Sequence, residues 1–225
     1  YWLIVDTTDL SGTEFANSLV MVDTIGNNDV TITNKPKSTT SSKKIDDEND
    51  SLLYPVSGNE DAANWQDVAD YDIGDQVPYS IRITCANDIA EYDYFSFVMM
   101  DRVEEGLTYL ENSFVLYVNG VAQPAGTLVK KGSAGEATAK FLYEIETDEA
   151  GAQRLYVYPN FDYTPDGEPT VEANKTNGGD FLQYFPAGTD HAEINNSTIR
   201  LDYKCLLNEN AVVGNAGNPN TYSLK

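Results

Sequence analysis

Apolar residues recur at every second position, or in short unbroken runs, along much of the chain. The stretches are VPYSIRITC (77–85), YFSFVMMDRV (94–103), SFVLYV (113–118), AKFLYEIET (139–147), QRLYVYPNF (153–161), STIRLDYKCLL (197–207) and NTYSLK (220–225). Their Val, Ile, Thr and aromatic content suits a pleated, half-buried surface. Turn chemistry separates them at Gly74-Asp75, Asn119-Gly120, Pro165-Asp166-Gly167 and Gly178-Gly179. Asn119-Gly120, set between SFVLYV and a Val-led segment, predicts a tight hairpin. No amphipathic helix of useful length is predicted. Strands without helical crossovers imply an all-β fold, an antiparallel sandwich of immunoglobulin-like type.

The first forty residues follow another plan. YWLIV, SLVMV and DVTIT predict strands, but so short a segment is too small to hold a core of its own. NKPKSTTSS (34–42) is polar and reads as a linker. The expected organisation is therefore the closing strands of a preceding domain with linker over 1–37, then one sandwich domain over 38–225. With no initiator Met and no signal-peptide pattern, the chain is expected to be a piece of a longer protein.

Composition narrows the chemistry. Thirty-six acidic residues against fourteen basic ones give a formal charge of −22. Phosphate neutralisation needs clustered Lys and Arg, so nucleic acid is disfavoured as a partner, and anionic membrane surfaces with it. No apolar run approaches the ~20 residues of a membrane span. One His and two Cys cannot by themselves assemble a zinc-type ligand set, and no metal or cofactor is expected. DDEND (46–50) lacks the central Gly of a calcium loop and reads as a solvated acidic loop. His191 has no nucleophile elbow to serve, which argues against a hydrolase triad. Carboxylate pairs for glycoside hydrolysis exist in any chain this acidic, and most such groups are surface charge.

The informative residues are polar groups in phase with apolar ones. Side chains alternate across a strand with period two. Asp101 falls on the face of Phe95, Phe97, Met99 and Val103; Asn220 shares a face with Tyr222 and Leu224; Lys43 shares one with Ile45. Each would be costly to bury alone, and all three could be buried if they met. Periodicity equally allows Asp101 to end its strand in solvent with the other two on the surface. Cys85 is in phase with Ile81 and Ile83, and Cys205 with Leu201 and Tyr203, so both thiols should face inward. A Cys85–Cys205 disulfide and a pair of buried thiols both satisfy that pattern.

TTSSKKIDDEND, WQDVADYDIGDQVPYSIRIT, YDYFSFVMMDRVEEGLTYLENSFVLYVNG and LLNENAVVGNAGNPNTYSLK, in that order and covering roughly residues 41–225, resemble the isopeptide-forming domain of Gram-positive fimbrial proteins. The shared run is a Lys-Lys-Val/Ile opening, a Gly-Asp-x-Val-x-Tyr strand, an Asp followed by Gly-Leu-Thr-Tyr/Phe, and a closing Asn-x-Asn-Thr strand. Thr39-Thr40 stands where the family has Pro-Thr, and the two Cys are outside its pattern. Residues 1–37 resemble the end of the amino-terminal pilin domain that commonly precedes it.

The resemblance implies an extracellular, cell-wall-anchored subunit joined to neighbouring pilin subunits by sortase. It also implies a self-forming amide with Lys43 as amine, Asn220 as acyl donor and Asp101 as catalytic acid. Lys44 is the fallback amine, because one register slip exchanges the two. It further suggests Lys37, then Lys35, as the acceptor of a neighbouring subunit's carboxyl terminus. Two other functions compete. One is an adhesin module whose long loops at 162–180 and 185–197 recognise a host glycan or protein; the other is a carboxylate-based hydrolase.

Overall fold

Alternation becomes architecture in the computed structural model, which describes residues 2–5, 19–22, 39–47, 65–87, 89, 97–160, 184–185, 191–214 and 217–225. The strands are β1 (Trp2–Val5), β2 (Leu19–Val22), β3 (Thr40–Asp46), β4 (Trp65–Gln66), β5 (Gln76–Thr84), β6 (Met99–Val103) and β7 (Leu107–Val118). They continue with β8 (Val121–Ala122), β9 (Leu128–Lys130), β10 (Phe141–Thr147), β11 (Gln153–Pro159), β12 (Thr198–Leu207) and β13 (Asn220–Leu224). β1 and β2 pair antiparallel with each other as a two-stranded sheet.

The remaining strands form two sheets. One runs β4-β3-β5-β12-β7-β8, the other β13-β6-β11-β10-β9. Their inner faces supply a common apolar core: Ile81 and Ile83 from β5, Met99 and Val103 from β6, Phe141 from β10, Leu155 and Val157 from β11, Leu201 and Tyr203 from β12. The all-β sandwich read from the sequence is thus observed, with one departure. β9 pairs parallel to β10, Phe141 opposite Leu128. The turn from Lys131 through Ala139 carries a short 3-10 segment, Glu136–Thr138, which returns the chain in the same direction. Asn119 and Gly120 sit at φ 49° and 76°, as the predicted hairpin between β7 and β8 requires.

β7 breaks the simple pattern. Leu107 and Tyr109 face inward, then Leu116 and Val118 do, so the inward set changes from odd to even numbers. The cause is a large bulge: Asp202 of β12 opposes Val115, whereas Lys204 opposes Leu110. Residues 111–114 therefore bow out against Tyr203 alone. The Ser113 hydroxyl repairs the interrupted ladder by donating to the Leu110 carbonyl at 2.6 Å and accepting from the Lys204 N–H at 2.7 Å. Bulges of this kind re-aim side chains and concentrate beside functional sites.

The Gly of the Gly-Leu-Thr-Tyr motif has a packing reason. A Cβ on Gly106 would lie 2.7 Å from the Ala211 Cα and overlap the Asn218 side chain. Only Gly lets the segment leading into β13 lie so close to the start of β7.

The thiols are buried as expected, but the disulfide alternative fails. Cys85 and Cys205 are both free. Cys205 pairs with Val77 at one end of β5, while the Cys85 N–H bonds to the Ser197 carbonyl beyond the other end. That is about 26 Å along a strand rising ~3.3 Å per residue, against a Cα separation of at most ~7 Å for a bridge. Burial holds the Cys85 thiol up at about 12 and pushes that of Cys205 well above its ordinary value, so both stay protonated.

Of the two loops considered for ligand recognition, 162–180 lies outside the described residues. In the other, Phe185 and Ile194 belong to the core rather than to a loop tip.

Candidate functional site

The two sheets bring their terminal strands together at one edge of the sandwich. Lys43 pairs with Ile81, and Ile45 with Tyr79, which puts Lys43 on the inner face of β3. On the other sheet Asp101 in β6 lies between Leu155 of β11 and Tyr222 of β13. Asn220 opens β13 opposite Val103, on the same face as Tyr222 and Leu224. Tyr222 ties the sheets together directly, its hydroxyl bonding the Ser41 hydroxyl of β3.

Asp101 is the centre. It is 2% exposed, and its two oxygens are divided between an amine and two phenols. Oδ1 accepts a short hydrogen bond from Lys43 Nζ. Oδ2 accepts from the Tyr203 hydroxyl at 2.5 Å and from the Tyr109 hydroxyl at 2.9 Å. The Lys43 side chain is 9% exposed, with Nζ 5.0 Å from the Tyr79 ring centroid. Tyr79 stacks on Tyr203 at 5.5 Å, and Phe114, carried by the bulge of β7, meets Tyr203 edge-on at 6.1 Å. A charged pair is thus enclosed by aromatic rings.

That enclosure sets the protonation tendencies. Burial pushes the Lys43 ammonium below the ordinary lysine range, against the opposing attraction and hydrogen bond of Asp101. Burial, reinforced by the Asp101 charge, drives the Tyr109 and Tyr203 phenols upward, so both remain hydrogen-bond donors.

The Asn220 carboxamide completes the group. Its Nδ2 donates to the Tyr203 hydroxyl at 3.4 Å. Its Oδ1 is buried and has no hydrogen-bond partner among the described residues. Lys43, Tyr79, Asn220 and Tyr222 line one cavity of about 1080 Å³. The Asn220 and Lys43 side chains therefore border one open cleft.

The three residues picked out by face, Lys43, Asp101 and Asn220, converge here. Lys44 lines the same cavity, but its Nζ meets Asp67 at 2.6 Å in an exposed pair rather than Asp101. Lys35 and Lys37 lie outside the described residues. Sequence reading by charge passed over Tyr109 and Tyr203, although the signal was present. Tyr203 is in phase with Leu201 and Cys205, and Tyr109 closes the Gly-Leu-Thr-Tyr motif.

No family model matches the sequence, and no curated protein matches it. Solved structures of Gram-positive pilins are similar in fold. The T6 backbone pilin of serotype M6 Streptococcus pyogenes shares 14% identity over 92% of this chain and 35% of its own, with a TM-score of 0.47. The full-length major pilin RrgB of Streptococcus pneumoniae shares 16% over 96% of this chain and 28% of its own, with a TM-score of 0.39. The Corynebacterium diphtheriae major pilin SpaA shares 8% over 76% and 27%, with a TM-score of 0.34. The chain spans no more than 35% of the length of these three, and the likeness concerns general architecture alone.

Proposed function

We propose that the chain is part of a structural subunit of a Gram-positive surface pilus, whose domain 38–225 seals itself with an amide between Lys43 Nζ and Asn220 Cγ. The observation that carries this reading is that Lys43, bonded to the buried Asp101, lines the same cavity as Asn220. An ion pair buried among aromatic rings is a poor device for stability alone, since desolvation offsets much of its attraction. It is a good device for making a neutral amine. Asp101 takes a proton from Lys43, and the freed amine attacks the carboxamide carbon. Folding holds both partners together, which replaces a bimolecular encounter by an effectively unimolecular step. Ammonia leaves, and the reaction happens once per chain without cofactor or metal.

The placement suits a load-bearing role. β3 opens the sandwich and β13 closes it. A covalent link between them carries tension from entry to exit without loading the hydrogen-bond ladders. It closes most of the domain into one loop, which destabilises the unfolded chain by about 5 kcal/mol on the loop-entropy estimate used for disulfides. Residues 1–37 then belong to the end of a preceding domain, with Lys37 or Lys35 as the attachment point for the next subunit and sortase as the joining enzyme. Antibody to the domain tests this assignment on the cell-wall fraction of the source bacterium. Detergent-resistant ladders that vanish when its sortase is deleted support it; a single monomeric band in sortase-positive cells contradicts it.

A further inference from the structure

The proton that leaves with ammonia must reach the Asn220 nitrogen, and Asp101 is not the group found there. Among the described residues, Tyr203 is the hydroxyl bonded both to Asp101 and to Asn220. It donates to Asp101 Oδ2 at 2.5 Å and accepts from Asn220 Nδ2 at 3.4 Å. Tyr109 bonds the same carboxylate oxygen at 2.9 Å but, among the described residues, not Asn220. From this asymmetry we infer that Tyr203 is a catalytic residue, relaying the proton of Asp101 to the departing nitrogen of Asn220. The inference rests on the proposed Lys43–Asn220 reaction and names a participant in it.

The atoms balance without a further reactant. Asp101 enters the step protonated, having taken one proton from the Lys43 ammonium. The neutral Nζ attacks Cγ, the Nζ–Cγ bond forms, and the carbonyl electron pair moves onto Asn220 Oδ1. On collapse that pair re-forms the carbonyl and the Cγ–Nδ2 bond breaks. As it breaks, Nδ2 takes the hydroxyl proton of Tyr203, Tyr203 takes the proton of the Asp101 carboxyl, and the other Asp101 oxygen accepts the second proton from Nζ. The Tyr203 hydroxyl must first turn from Asp101 to Nδ2, and the carboxyl must turn to present to Tyr203 the proton it took from Lys43. A carboxyl group accepts at one oxygen while donating from the other by exchanging its single and double bonds. The division of its oxygens, one toward Lys43 and the other toward Tyr203, is the arrangement that exchange needs. The products are the amide, ammonia, protonated Asp101 and an unchanged phenol.

The geometry around Tyr203 supports the assignment. Its ring is held on one side by Tyr79 at 5.5 Å and on others by Tyr109 at 5.8 Å and Phe114 at 6.1 Å. It stands opposite the bulge of β7, where that strand departs from regular pairing with β12. The hydroxyl is therefore aimed by packing rather than by the hydrogen bonds it must exchange.

The experiment follows the cross-linked fraction of the 225-residue chain by intact mass, at intervals after a short expression pulse. Tyr203→Phe keeps the ring and removes the hydroxyl; it is expected to slow closure by about 10²-fold or more, within the range of lost general acid–base catalysis. Tyr109→Phe removes one hydrogen bond from the same oxygen and is expected to slow closure only several-fold, as loss of about 1 kcal/mol does. If the two hydroxyls only position Asp101, the variants slow alike, and that outcome overturns the relay. Closure of Tyr203→Phe at the wild-type rate overturns it too. A second measurement needs no variant: the wild-type closure rate in mixtures of light and heavy water. A curved dependence on deuterium fraction, from several protons moving together, supports the relay, and a linear one contradicts it. A wild type that never closes refutes the Lys43–Asn220 reaction itself and is distinct from all of these.

Discussion

Two lysine–asparagine neighbourhoods among the described residues differ in a way that shows what the proposed reaction needs beyond proximity. At one, Lys43 and Asn220 share a cavity across the sheets, with Asp101 bonded to the amine. At the other, Lys140 and Asn160 flank the β10–β11 pair, just outside the Phe141–Pro159 register, and the Asn160 N–H bonds the Lys140 carbonyl at 2.8 Å. Both lysines are pushed below the ordinary range chiefly by burial. Their hydrogen bonds differ. Lys140 Nζ donates to the Phe185 carbonyl at 2.7 Å, a group that cannot take its proton at neutral pH. Asn160 Nδ2 is committed to the Glu136 and Ala139 carbonyls at 2.7 and 2.8 Å. Asn220 keeps its nitrogen on a phenol that can also donate. Burial lowers a lysine pKa in both places, but only Lys43 of the two donates to a carboxylate that can take its proton.

Removing the carboxylate should erase the contrast. Asp101→Ala is expected to show its own full sequence mass, without the one-ammonia deficit expected of wild type. It should also lose about 5 kcal/mol of link stabilisation in urea unfolding, and about 3–5 kcal/mol more because the Lys43 ammonium is left buried and unpaired. Asn220→Ala should lose the link but keep the ion pair, and so fall between Asp101→Ala and wild type. If both variants unfold with wild-type midpoints, the site carries no such load.

The choice of amine is the next expected effect. Lys43→Ala should restore the full mass. Lys44→Ala should keep the deficit and cost less than about 1 kcal/mol, as an exposed Lys44–Asp67 pair does. The reverse pattern in the mass spectra would move the reaction to the solvent side of β3.

A smaller effect is in the pH dependence. In Asn220→Ala, Lys43 remains an amine whose folded pKa lies below its unfolded one. Between the two values the unfolded chain binds more protons, so stability rises with pH across that window and is fully gained above about 10.5, the ordinary lysine value. In wild type, cross-linked as proposed, Lys43 would be an amide and this contribution should vanish. Unfolding free energies of both proteins across alkaline pH give the comparison, and parallel curves would contradict it. The smallest effect belongs to the other neighbourhood: Lys140→Met should leave the mass deficit at one ammonia, and a change in it would give Lys140 a share in the chemistry.

Much of the site was readable because strands impose a strict period. Asp101 shows in phase with Met99 and Val103, and Asn220 in phase with Leu224, before any contact is known. Lys43 and Lys44 are distinguished by one neighbour only, and the pairing of Lys43 with Ile81 decides between them. β7 was half read, as SFVLYV, because its bulge reverses the inward parity between Tyr109 and Leu116. That reversal hid Tyr109 as a partner of Asp101. The thiol pairing was out of reach for a different reason: inward phase is a property of one strand, while bridging depends on position along a ladder, where Cys85 and Cys205 stand at opposite ends. The parallel β9 depends on a turn whose direction no alternation records.

The central claim, that Lys43 and Asn220 are covalently joined, has one direct measurement: intact mass of the wild-type chain with verified termini, followed by tryptic mapping. The expected result is a mass one ammonia below that of the sequence and a branched peptide joining the segments around Lys43 and Asn220. A full sequence mass, with those two segments recovered as separate unmodified peptides, would contradict it.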